Sequence, residues 1–266
     1  MGTSTETFQL SLATAEMYEA KFVPVFFADW APHLVEFAGV APGQAVLDVA
    51  CGTGIVARTV AARQAGSGRV VGLDLNEAML TVARRVRPDV TWRQGDVAAL
   101  PFPDATFDVV LCQMALMFFP DRSRALREMR RVAAPGGTVA VLVPGRLDAQ
   151  PAYAPFVEMA ARHAGPEAAS LLGAYFVCGD LAELTALVES AGLAVTGTRS
   201  RLGRARFASV DEFVATEVES TPLVSRISPD VYERIRAGAR EALRPFTGSA
   251  GEVEIPLEGH LVAARR

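Results

Sequence analysis

The chain is poor in lysine, cysteine and histidine, and each shortage excludes a kind of chemistry. Among its 266 residues Lys21 is the only lysine, so Schiff-base catalysis on a lysine depends on that residue alone. Three cysteines, Cys51, Cys112 and Cys178, are too few and too scattered for a disulfide framework. Since no CxxC pair occurs and the three histidines lie far apart, the sequence predicts no metal site.

Strong net charge, long apolar runs and targeting segments are also missing. The formal net charge is −4, whereas a protein that grips nucleic acid needs a basic surface, so we expect no nucleic-acid partner. The apolar run from Val109 to Phe119 is interrupted by Gln113 and is too short to span a bilayer. The N-terminus has neither the basic nor the apolar region of a secretory signal. We therefore expect a cytoplasmic protein without a membrane span.

What is present is an ordinary globular composition, 50% hydrophobic, in which strand and helix signals alternate. Five short apolar runs predict strands, at residues 45–50, 69–74, 90–94, 107–112 and 138–143. Helical stretches separate them, and Asn76 and Asp121 are placed to cap two of these helices. Strand and helix in alternation predict right-handed βαβ units and a parallel sheet covered on both faces.

The two ends of the chain follow looser patterns. Pro24 and Pro32 predict two short helices in the first forty residues, since proline disrupts a helix interior. Pro135–Gly137 predicts a turn. After Pro144 we expect helices at residues 154–164, 180–190, 210–219 and 229–243 and strands at 193–200 and 259–264.

These patterns predict the following organisation. An N-terminal helical lid precedes a core that carries the ligand site, a continuation of the core with a helical insertion, a helical cap and the last strand of the core. Their respective bounds are residues 1–40, 41–145, 146–200, 201–250 and 251–266.

The glycine-rich turn after the first strand resembles a dinucleotide-binding fingerprint, G-x-G-x-x-G/A. Gly52-Thr-Gly54-Ile-Val-Ala57 fits it, and Asp74 lies twenty residues past Gly54. However, Asp48 inside the strand would repel a pyrophosphate and suits a cationic ammonium or sulfonium group instead. The lone lysine also lies outside the sheet, so no Tyr-x-x-x-Lys pair of a reductase can form there.

The run Val46–Gly54 resembles the first motif of class I S-adenosylmethionine-dependent methyltransferases. Further motifs of that family follow in order, at Gly72–Leu80, Gly95-Asp96, Leu100–Pro103, Phe107–Val110, Leu126–Val132 and Pro135–Gly137. The ubiquinone/menaquinone-biosynthesis-type, small-molecule branch is the most similar, strongly over residues 40–145 and loosely elsewhere. The resemblance implies a Rossmann-like, doubly wound, seven-stranded sheet, mostly parallel with an antiparallel last strand. It also implies S-adenosylmethionine as cofactor.

The resemblance further implies which residues bind this cofactor: Asp48, Ala50, Gly52, Thr53, Gly54, Asp74, Leu75, Met79, Gly95, Asp96, Val97 and Gln113. In this pattern the two glycines let the backbone approach the methionine part, and Asp48 orients its ammonium group. Asp74 accepts hydrogen bonds from both ribose hydroxyls. Ala50 departs from the family, which often has glycine there.

On the adenine side, Leu75 and Met79 would line the slot. The resemblance implies that Asp96 accepts from the adenine amino group and that the Val97 N–H donates to the ring. Gln113 would contact the methionine moiety. Asp96 could instead serve only as a helix cap.

Catalysis by this family needs alignment of a nucleophile with an activated methyl group more than a fixed set of catalytic residues. If a general base exists, the three leading candidates are His163, Tyr175 and Tyr18, and Glu158 and Tyr153 are further ones. The substrate is expected to be a small, apolar or aromatic metabolite, methylated on oxygen, nitrogen or carbon, and specialised metabolism is plausible. A homodimer stays open. The alternatives are a cofactor-binding relative without catalysis and an NAD(P)-dependent reductase.

Overall fold

The sheet has seven strands. A computed structural model describes residues 10–219 and 221–266. Its strands are β1 (Ala45–Val49), β2 (Arg69–Asp74), β3 (Thr91–Gln94), β4 (Phe107–Gln113), β5 (Ala133–Pro144), β6 (Ala194–Phe207) and β7 (Val253–Arg265). They lie in the order β3-β2-β1-β4-β5-β7-β6, six parallel and β7 antiparallel. The predicted doubly wound sheet with an antiparallel last strand is confirmed.

The α-helices of the described residues connect or flank these strands. They are α1 (Leu12–Met17), α2 (Trp30–Phe37), α3 (Ile55–Gln64), α4 (Glu77–Val86), α5 (Arg122–Val132), α6 (Tyr153–Ala164), α7 (Pro166–Gly173), α8 (Leu181–Ser190), α9 (Val210–Val214) and α10 (Pro229–Ala242). Asn76 and Asp121 cap α4 and α5 by accepting backbone N–H bonds, as predicted. The pattern after Pro144 did not predict α7.

The central strands are buried because helices cover both faces of a parallel sheet. Val46, Leu47 and Val49 of β1 have no exposed surface, and β4 is almost as deeply buried. In contrast, β3 is short, polar and largely exposed at the edge of the sheet. The apolar runs of the sequence thus mark how central each strand is.

The N-terminal segment differs from the prediction of two short helices. Its first nine residues lie outside the described part of the chain. From Tyr18 to Phe27 the backbone is π-helical with Pro24 inside it, and the Ala28 N–H donates to the Val23 carbonyl at 2.8 Å. Proline lacks an N–H and crowds the carbonyl four residues earlier, so a wider turn accommodates Pro24 without ending the helix.

The predicted turn at Pro135–Gly137 lies within the bounds of β5. Phe107 pairs with Ala133, but the next pair is Val109 with Thr138, so the residues between bulge out of the ladder. Gly136 has a φ of +73° there. The local turn signal was correct, and pairing continues on either side of it.

The chain forms two compact units. Unit one comprises residues 1–143, 181–200 and 260–266, of which the first nine are not described, and unit two comprises residues 144–180 and 201–259. Within unit one α1 packs against α4, and α2 packs against α3. Within unit two α6 packs against α7 and α10. Buried hydrophobic side chains fill the interior of each unit, for example Leu47 in unit one and Phe156 in unit two.

Membrane-spanning helices and metal clusters can be assessed only for the described residues. No single helix there is long and apolar enough to cross a bilayer. The bent pair Pro166–Phe176 and Leu181–Ser190 together has the length and the apolar composition of a span, but nothing else marks it as one. The same residues contain no group of three or more histidine, cysteine, aspartate or glutamate side chains placed to hold a metal ion.

Candidate functional site

The candidate site lies where the strand order of unit one reverses. From β1 the chain runs outward to β2 and β3, whereas β4 and β5 lie on the other side of β1. Asp48 pairs with Leu111, so the carboxyl ends of β1 and β4 reach the same edge of the sheet. Ligands of doubly wound sheets bind at this edge, at such a switch point.

The loop after β1 has an unusual backbone. Ala50, Gly52 and Gly54 have φ values of +54°, +55° and +92°. The Cys51 N–H donates to the Leu73 carbonyl at 2.9 Å, and the Gly54 N–H donates to the Cys51 carbonyl at 2.8 Å. Helix α3 begins directly afterwards, at Ile55. The loop is therefore a tight, left-handed turn tied to β2.

Ala50 is strained, because a left-handed φ brings Cβ close to the following carbonyl oxygen and costs roughly 1–2 kcal/mol. Replacing Ala50 with glycine removes this strain. It also makes the unfolded chain more flexible, which lowers the gain in stability by roughly 0.4–1 kcal/mol. We expect Ala50→Gly to leave stability unchanged or raised by up to about 1 kcal/mol, as measured by urea unfolding. A loss above about 1 kcal/mol would show that the methyl group of Ala50 packs productively.

Trp92 of β3 supports this loop, and no motif in the sequence pointed to it. A Cβ atom on Gly54 would overlap the Trp92 ring, and so would one on Gly72 of β2. The indole Nε1–H donates to the Arg87 carbonyl at 2.9 Å, which fixes the ring. Gly54 and Gly72 therefore make room for a tryptophan, a role the sequence interpretation missed.

Asp74 ends β2 and holds two separate backbone segments. Its Oδ2 accepts from the Gly52 N–H and its Oδ1 accepts from the Asn76 N–H, both at 2.8 Å. Burial raises the pKa of the Asp74 carboxyl, and these bonds oppose that rise. Because a carboxylate oxygen can accept more than one hydrogen bond, both oxygens keep acceptor capacity. Asp74 thus fixes the glycine loop and can still accept from a ligand.

Asp48 is the most deeply buried acid of the site, with 1% of its surface exposed. Its Oδ2 accepts from the Ala57 N–H in the first turn of α3, at 2.9 Å. Burial raises the pKa of Asp48 to about 8, and the charge of Asp74 contributes to the rise. A cation bound at this edge would offset both effects.

Two buried polar atoms near the same edge have no hydrogen-bond partner among the described residues: Thr53 Oγ1 and Gln113 Oε1. Gln113 Nε2 donates to the Phe27 carbonyl at 3.1 Å, which orients the amide. Unpaired buried acceptors are costly unless a ligand satisfies them. Together with the buried carboxyl of Asp48 and the partly buried one of Asp74, they fit a cofactor that carries an ammonium and a sulfonium group.

The remaining predicted cofactor residues follow β2 and β3. Leu75 is 46% exposed, unusual for leucine, whereas Met79 is buried against Ala15 of α1 and Val82. The Gly95 N–H donates to the Asp74 carbonyl at 3.0 Å, bringing the two strand ends together.

Asp96 is exposed and caps a short 3₁₀ turn, since its Oδ1 accepts from the Ala98 N–H at 2.8 Å. Val97, the next residue, is buried. The cap that the sequence offered as the alternative for Asp96 is therefore present, and it uses one of the two carboxylate oxygens.

The three candidate bases are divided between the units. Tyr18 belongs to unit one, and a Cβ atom on Gly52 would lie 3.6 Å from its ring and its hydroxyl. The Tyr18 ring stacks on Phe22 at 5.7 Å between centroids. His163, at the end of α6, and Tyr175 both belong to unit two.

An ion pair that the sequence did not indicate holds Tyr18 in place. The guanidinium nitrogens Nη1 and Nη2 of Arg58 donate to the two carboxylate oxygens of Glu19, at 2.7 and 3.1 Å. Arg58 lies in α3, just after the glycine loop, and both side chains are largely buried. This two-point contact fastens the π-helical segment to the first turns of α3, next to the glycine loop.

Comparison with protein families gives a match over this part of the chain. Residues 47–141 match the family model described as a methyltransferase domain. They include the end of β1, the glycine loop, Asp74 and Gln113, and so most of the residues assembled above.

Two curated relatives match a similar length of chain. The 2-phytyl-1,4-naphtoquinone methyltransferase of Thermosynechococcus vestitus is 40% identical over 116 residues, covering 42% of this chain and 52% of that protein. The demethylmenaquinone methyltransferase of Renibacterium salmoninarum is 44% identical over 112 residues, covering 42% of this chain and 46% of that protein. The chain thus spans about half the length of these curated relatives.

A solved structure resembles the whole fold. Phosphoethanolamine N-methyltransferase 2 of Haemonchus contortus, in complex with phosphomonomethylethanolamine and S-adenosylhomocysteine, has a TM-score of 0.61 and 18% identity. The alignment covers 100% of this chain and 60% of that one. At this identity the likeness concerns the fold alone.

Proposed function

We propose that this protein methylates a small molecule with S-adenosylmethionine as the methyl donor, because residues 47–141 match the methyltransferase domain model. One observation carries the proposal. The edge of the sheet at the switch point combines the buried carboxyl of Asp48 and the partly buried carboxyl of Asp74 with two buried acceptors that lack partners among the described residues, Thr53 Oγ1 and Gln113 Oε1. A nicotinamide dinucleotide would bring a pyrophosphate to the glycine loop, and the ionised form of Asp48 would repel it.

Each cofactor residue then has a task in binding. Asp48, with Gln113 Oε1 and Thr53 Oγ1, receives the ammonium group of the methionine part, and the glycine loop supplies close backbone. Asp74 accepts from the ribose hydroxyls with the acceptor capacity that its two backbone bonds leave. Leu75 covers the adenine with its exposed side chain, and Asp96 and Val97 contact the adenine edge.

When bound, the cofactor supplies a methyl group whose bond to sulfur breaks, the electron pair staying on sulfur, as the acceptor bonds to the carbon and loses a proton. The chain contributes alignment and exclusion of water. Tyr18 beside Gly52 and the ion pair Glu19–Arg58 close the N-terminal segment over the loop. Burial raises the pKa of Tyr175, so this phenol is a hydrogen-bond donor rather than a base at neutral pH.

We propose an apolar or aromatic acceptor, with quinol-type molecules as first candidates because both curated relatives are named for quinone methylation. The atom methylated is oxygen, nitrogen or carbon. A cytoplasmic location is proposed with it, since the three scattered cysteines do not form the pattern of a disulfide framework. A homodimer is the simplest assembly to test, by light scattering.

The function is tested in two steps. Calorimetry is expected to give micromolar binding of S-adenosylhomocysteine and no binding of NADPH, because the carboxyl groups beside the glycine loop favour a cationic ligand over a pyrophosphate. A screen of phenols, quinols and amines with methyl-labelled S-adenosylmethionine then identifies the acceptor. Binding of NADPH without S-adenosylhomocysteine would favour a reductase, and tight cofactor binding with no turnover on any acceptor would favour a non-catalytic relative.

Among the candidate bases, His163 is tested by replacement with alanine. Methyl transfer at an unchanged rate would exclude His163 as the base, whereas a loss at saturating acceptor with S-adenosylhomocysteine affinity retained would support it. The same comparison with Tyr18→Phe examines the hydroxyl beside the glycine loop.

A further inference from the structure

The polar groups proposed to receive the ammonium group of the cofactor are shielded from solvent. Asp48 and Thr53 are each 1% exposed, and Gln113 is 8% exposed. Thr53 Oγ1 and Gln113 Oε1 have no hydrogen-bond partner among the described residues, so both atoms still need one. Because a polar cofactor reaches them from water, part of unit one has to move aside whenever the cofactor enters or leaves.

The π-helical segment Tyr18–Phe27, which we call the covering segment, lies against the cofactor site at both of its ends. At its start, the Tyr18 ring and hydroxyl lie 3.6 Å from the position that a Cβ atom on Gly52 would take. At its end, the Phe27 carbonyl accepts from Gln113 Nε2 at 3.1 Å. The Gln113 amide therefore holds the segment with its nitrogen and presents its oxygen to the cofactor.

One ion pair fastens the start of the covering segment to the helix that follows the glycine loop. Arg58 lies in the first turn of α3, and its backbone N–H donates to the Gly54 carbonyl at 2.8 Å. Its guanidinium group donates to both carboxylate oxygens of Glu19, and the two side chains are only 15% and 22% exposed. Two-point contacts between charged groups are stronger than neutral hydrogen bonds, and salt screens a buried pair less than an exposed one. The ion pair therefore holds the covering segment down beside the loop.

The covering segment can lift as one body because its aromatic rings pack on one another. The Tyr18 ring lies 5.7 Å from Phe22 and 5.3 Å from Phe27, centroid to centroid. The backbone follows a π-helix around Pro24, which provides no N–H for a helical hydrogen bond. π-helical geometry is frequent at functional sites, and segments that move in function come from the less stable parts of a fold. This local structure is suited to opening without unfolding the sheet.

We propose that the covering segment opens to admit and release the cofactor and that the Glu19–Arg58 ion pair sets the rate of this opening. The inference rests on the proposed function and adds the regulation of its cofactor site. After methyl transfer, S-adenosylhomocysteine leaves only when the ion pair breaks, so opening limits turnover when the chemical step is fast. Bound cofactor also fixes the Gln113 amide, so the end of the segment at Phe27 is held more firmly in the complex.

The rates of cofactor binding distinguish control of opening from direct contact. An ion pair that closes the segment alike in the free and the bound protein slows entry and exit by the same factor and leaves the affinity unchanged. A group that touches the cofactor changes the affinity itself, mainly through the dissociation rate. Surface plasmon resonance on the full-length protein, with S-adenosylhomocysteine as the probe, measures both rates.

Glu19→Gln is expected to raise the association and the dissociation rate of S-adenosylhomocysteine about tenfold each, since it weakens a hydrogen-bonded contact between charged groups. Glutamine keeps one acceptor oxygen but not the charge. The dissociation constant should stay within about twofold, because both rates change together. A weaker affinity with an unchanged association rate would overturn the proposal, and so would rates equal to those of the wild type.

Arg58→Gln breaks the same ion pair and changes the charge beside the glycine loop in the opposite sense. Glu19→Gln removes a negative charge there and Arg58→Gln removes a positive one, so a direct effect on the cationic cofactor would shift the affinity in opposite directions. Loss of the ion pair predicts instead that both variants raise both rates. Opposite shifts in affinity without a common rise in the rates would refute the role of the ion pair.

The chain offers a matched control in α1, just before the covering segment. Glu16 of α1 pairs with Arg85 of α4 at 2.6 Å, but the two side chains are 52% and 57% exposed. Exposed ion pairs contribute little, so Glu16→Gln should leave both rates within about twofold of the wild type. An equal acceleration in Glu16→Gln would show that Glu19–Arg58 has no special role.

Hydrogen exchange reports the opening without any cofactor. By mass spectrometry, amides of the covering segment should exchange about tenfold faster in Glu19→Gln than in the wild type, and S-adenosylhomocysteine should slow the exchange. Unchanged exchange in β1 and β4 shows that the variant folds. Equal exchange of the segment in the two proteins would contradict the role of the ion pair.

The two proposals fail in different ways. If the wild type does not bind S-adenosylhomocysteine, the proposed function itself is wrong, whatever the exchange of the covering segment. If it binds S-adenosylhomocysteine but Glu19→Gln changes neither rate, the function stands and the ion pair does not control opening.

Discussion

Replacing Gly54 with alanine is expected to abolish binding of S-adenosylhomocysteine and to destabilise unit one by about 2–5 kcal/mol. Two effects add. A side chain at a φ of +92° costs roughly 1–2 kcal/mol, and overpacking against the Trp92 ring costs roughly 1–3 kcal/mol. The Trp92 ring has little room to move. It also lies directly against Gly72, and its Nε1–H donates to the Arg87 carbonyl.

Gly66 separates these two effects. It has a similar φ of +83°, but a Cβ atom there would meet no atom within 4 Å. We expect Gly66→Ala to cost only about 1–2 kcal/mol in urea unfolding, for the backbone strain, and to leave the affinity for S-adenosylhomocysteine unchanged. Equal losses in Gly54→Ala and Gly66→Ala would mean that contact with Trp92 contributes nothing.

A double variant tests the contact directly. In the Gly54→Ala background, Trp92→Leu shortens the obstructing side chain, so part of the lost stability should return. Non-additive free energies of unfolding would demonstrate the coupling between positions 54 and 92, since distant independent sites add within about 0.3–0.5 kcal/mol. Strict additivity would contradict it.

Replacing Asp48 with asparagine is expected to remove a pH dependence of stability and to weaken cofactor binding about ten- to hundredfold. The folded protein holds the proton of Asp48 up to about pH 8, whereas the unfolded chain releases it near pH 3.8. Between these values the folded state binds more protons, so the contribution of Asp48 to stability falls as pH rises and levels off above about pH 8.

The measurement is the free energy of unfolding of both proteins at several pH values. One pKa unit corresponds to about 1.4 kcal/mol, so the stability of Asp48→Asn relative to the wild type should increase by several kcal/mol across this window. Asparagine keeps an acceptor for the Ala57 N–H, so the start of α3 should remain intact. A difference that is constant with pH would show that Asp48 is ionised in the cofactor-free protein.

Cofactor binding gives the second readout. A cationic ligand favours ionised Asp48, so binding near pH 7 should release a proton, which calorimetry detects in buffers of different ionisation enthalpy. Asp108 is the control, because its Oδ2 accepts from the Ala45 N–H at 2.7 Å but it is exposed at the start of β4. Asp108→Asn should change neither the affinity nor the proton release, and a similar effect at both positions would argue against a specific role of Asp48.

The sequence allowed much of the cofactor side to be predicted, because its signals are local. The apolar runs gave the strands of unit one to within a few residues, and the glycine loop, Asp74 and the cap at Asn76 follow from the residues themselves. The predicted cofactor residues occupy the carboxyl ends of β1 to β4. Their individual contacts with the cofactor remain predictions.

What the sequence did not reveal depends on contacts between distant positions. The strands at residues 193–200 and 259–264 are longer than their apolar patterns indicated, because pairing within the sheet extends them. The π-helical path through Pro24 arose from a wider turn that no propensity predicts. Trp92 gave no signal, since its partner glycines lie on other elements.

The sequence by itself thus determined a parallel sheet covered on both faces, the glycine-rich turn after β1 and the acidic character of the sheet edge there, because strand periodicity and turn chemistry act over a few residues. Only the tertiary structure decided which carboxyl groups are buried away from solvent. Asp48 and Glu217 look like ordinary acids in the sequence, yet burial raises their pKa values to about 8 and about 7. Desolvation depends on neighbours that are far away along the chain, so no local sequence signal indicated either shift in pKa.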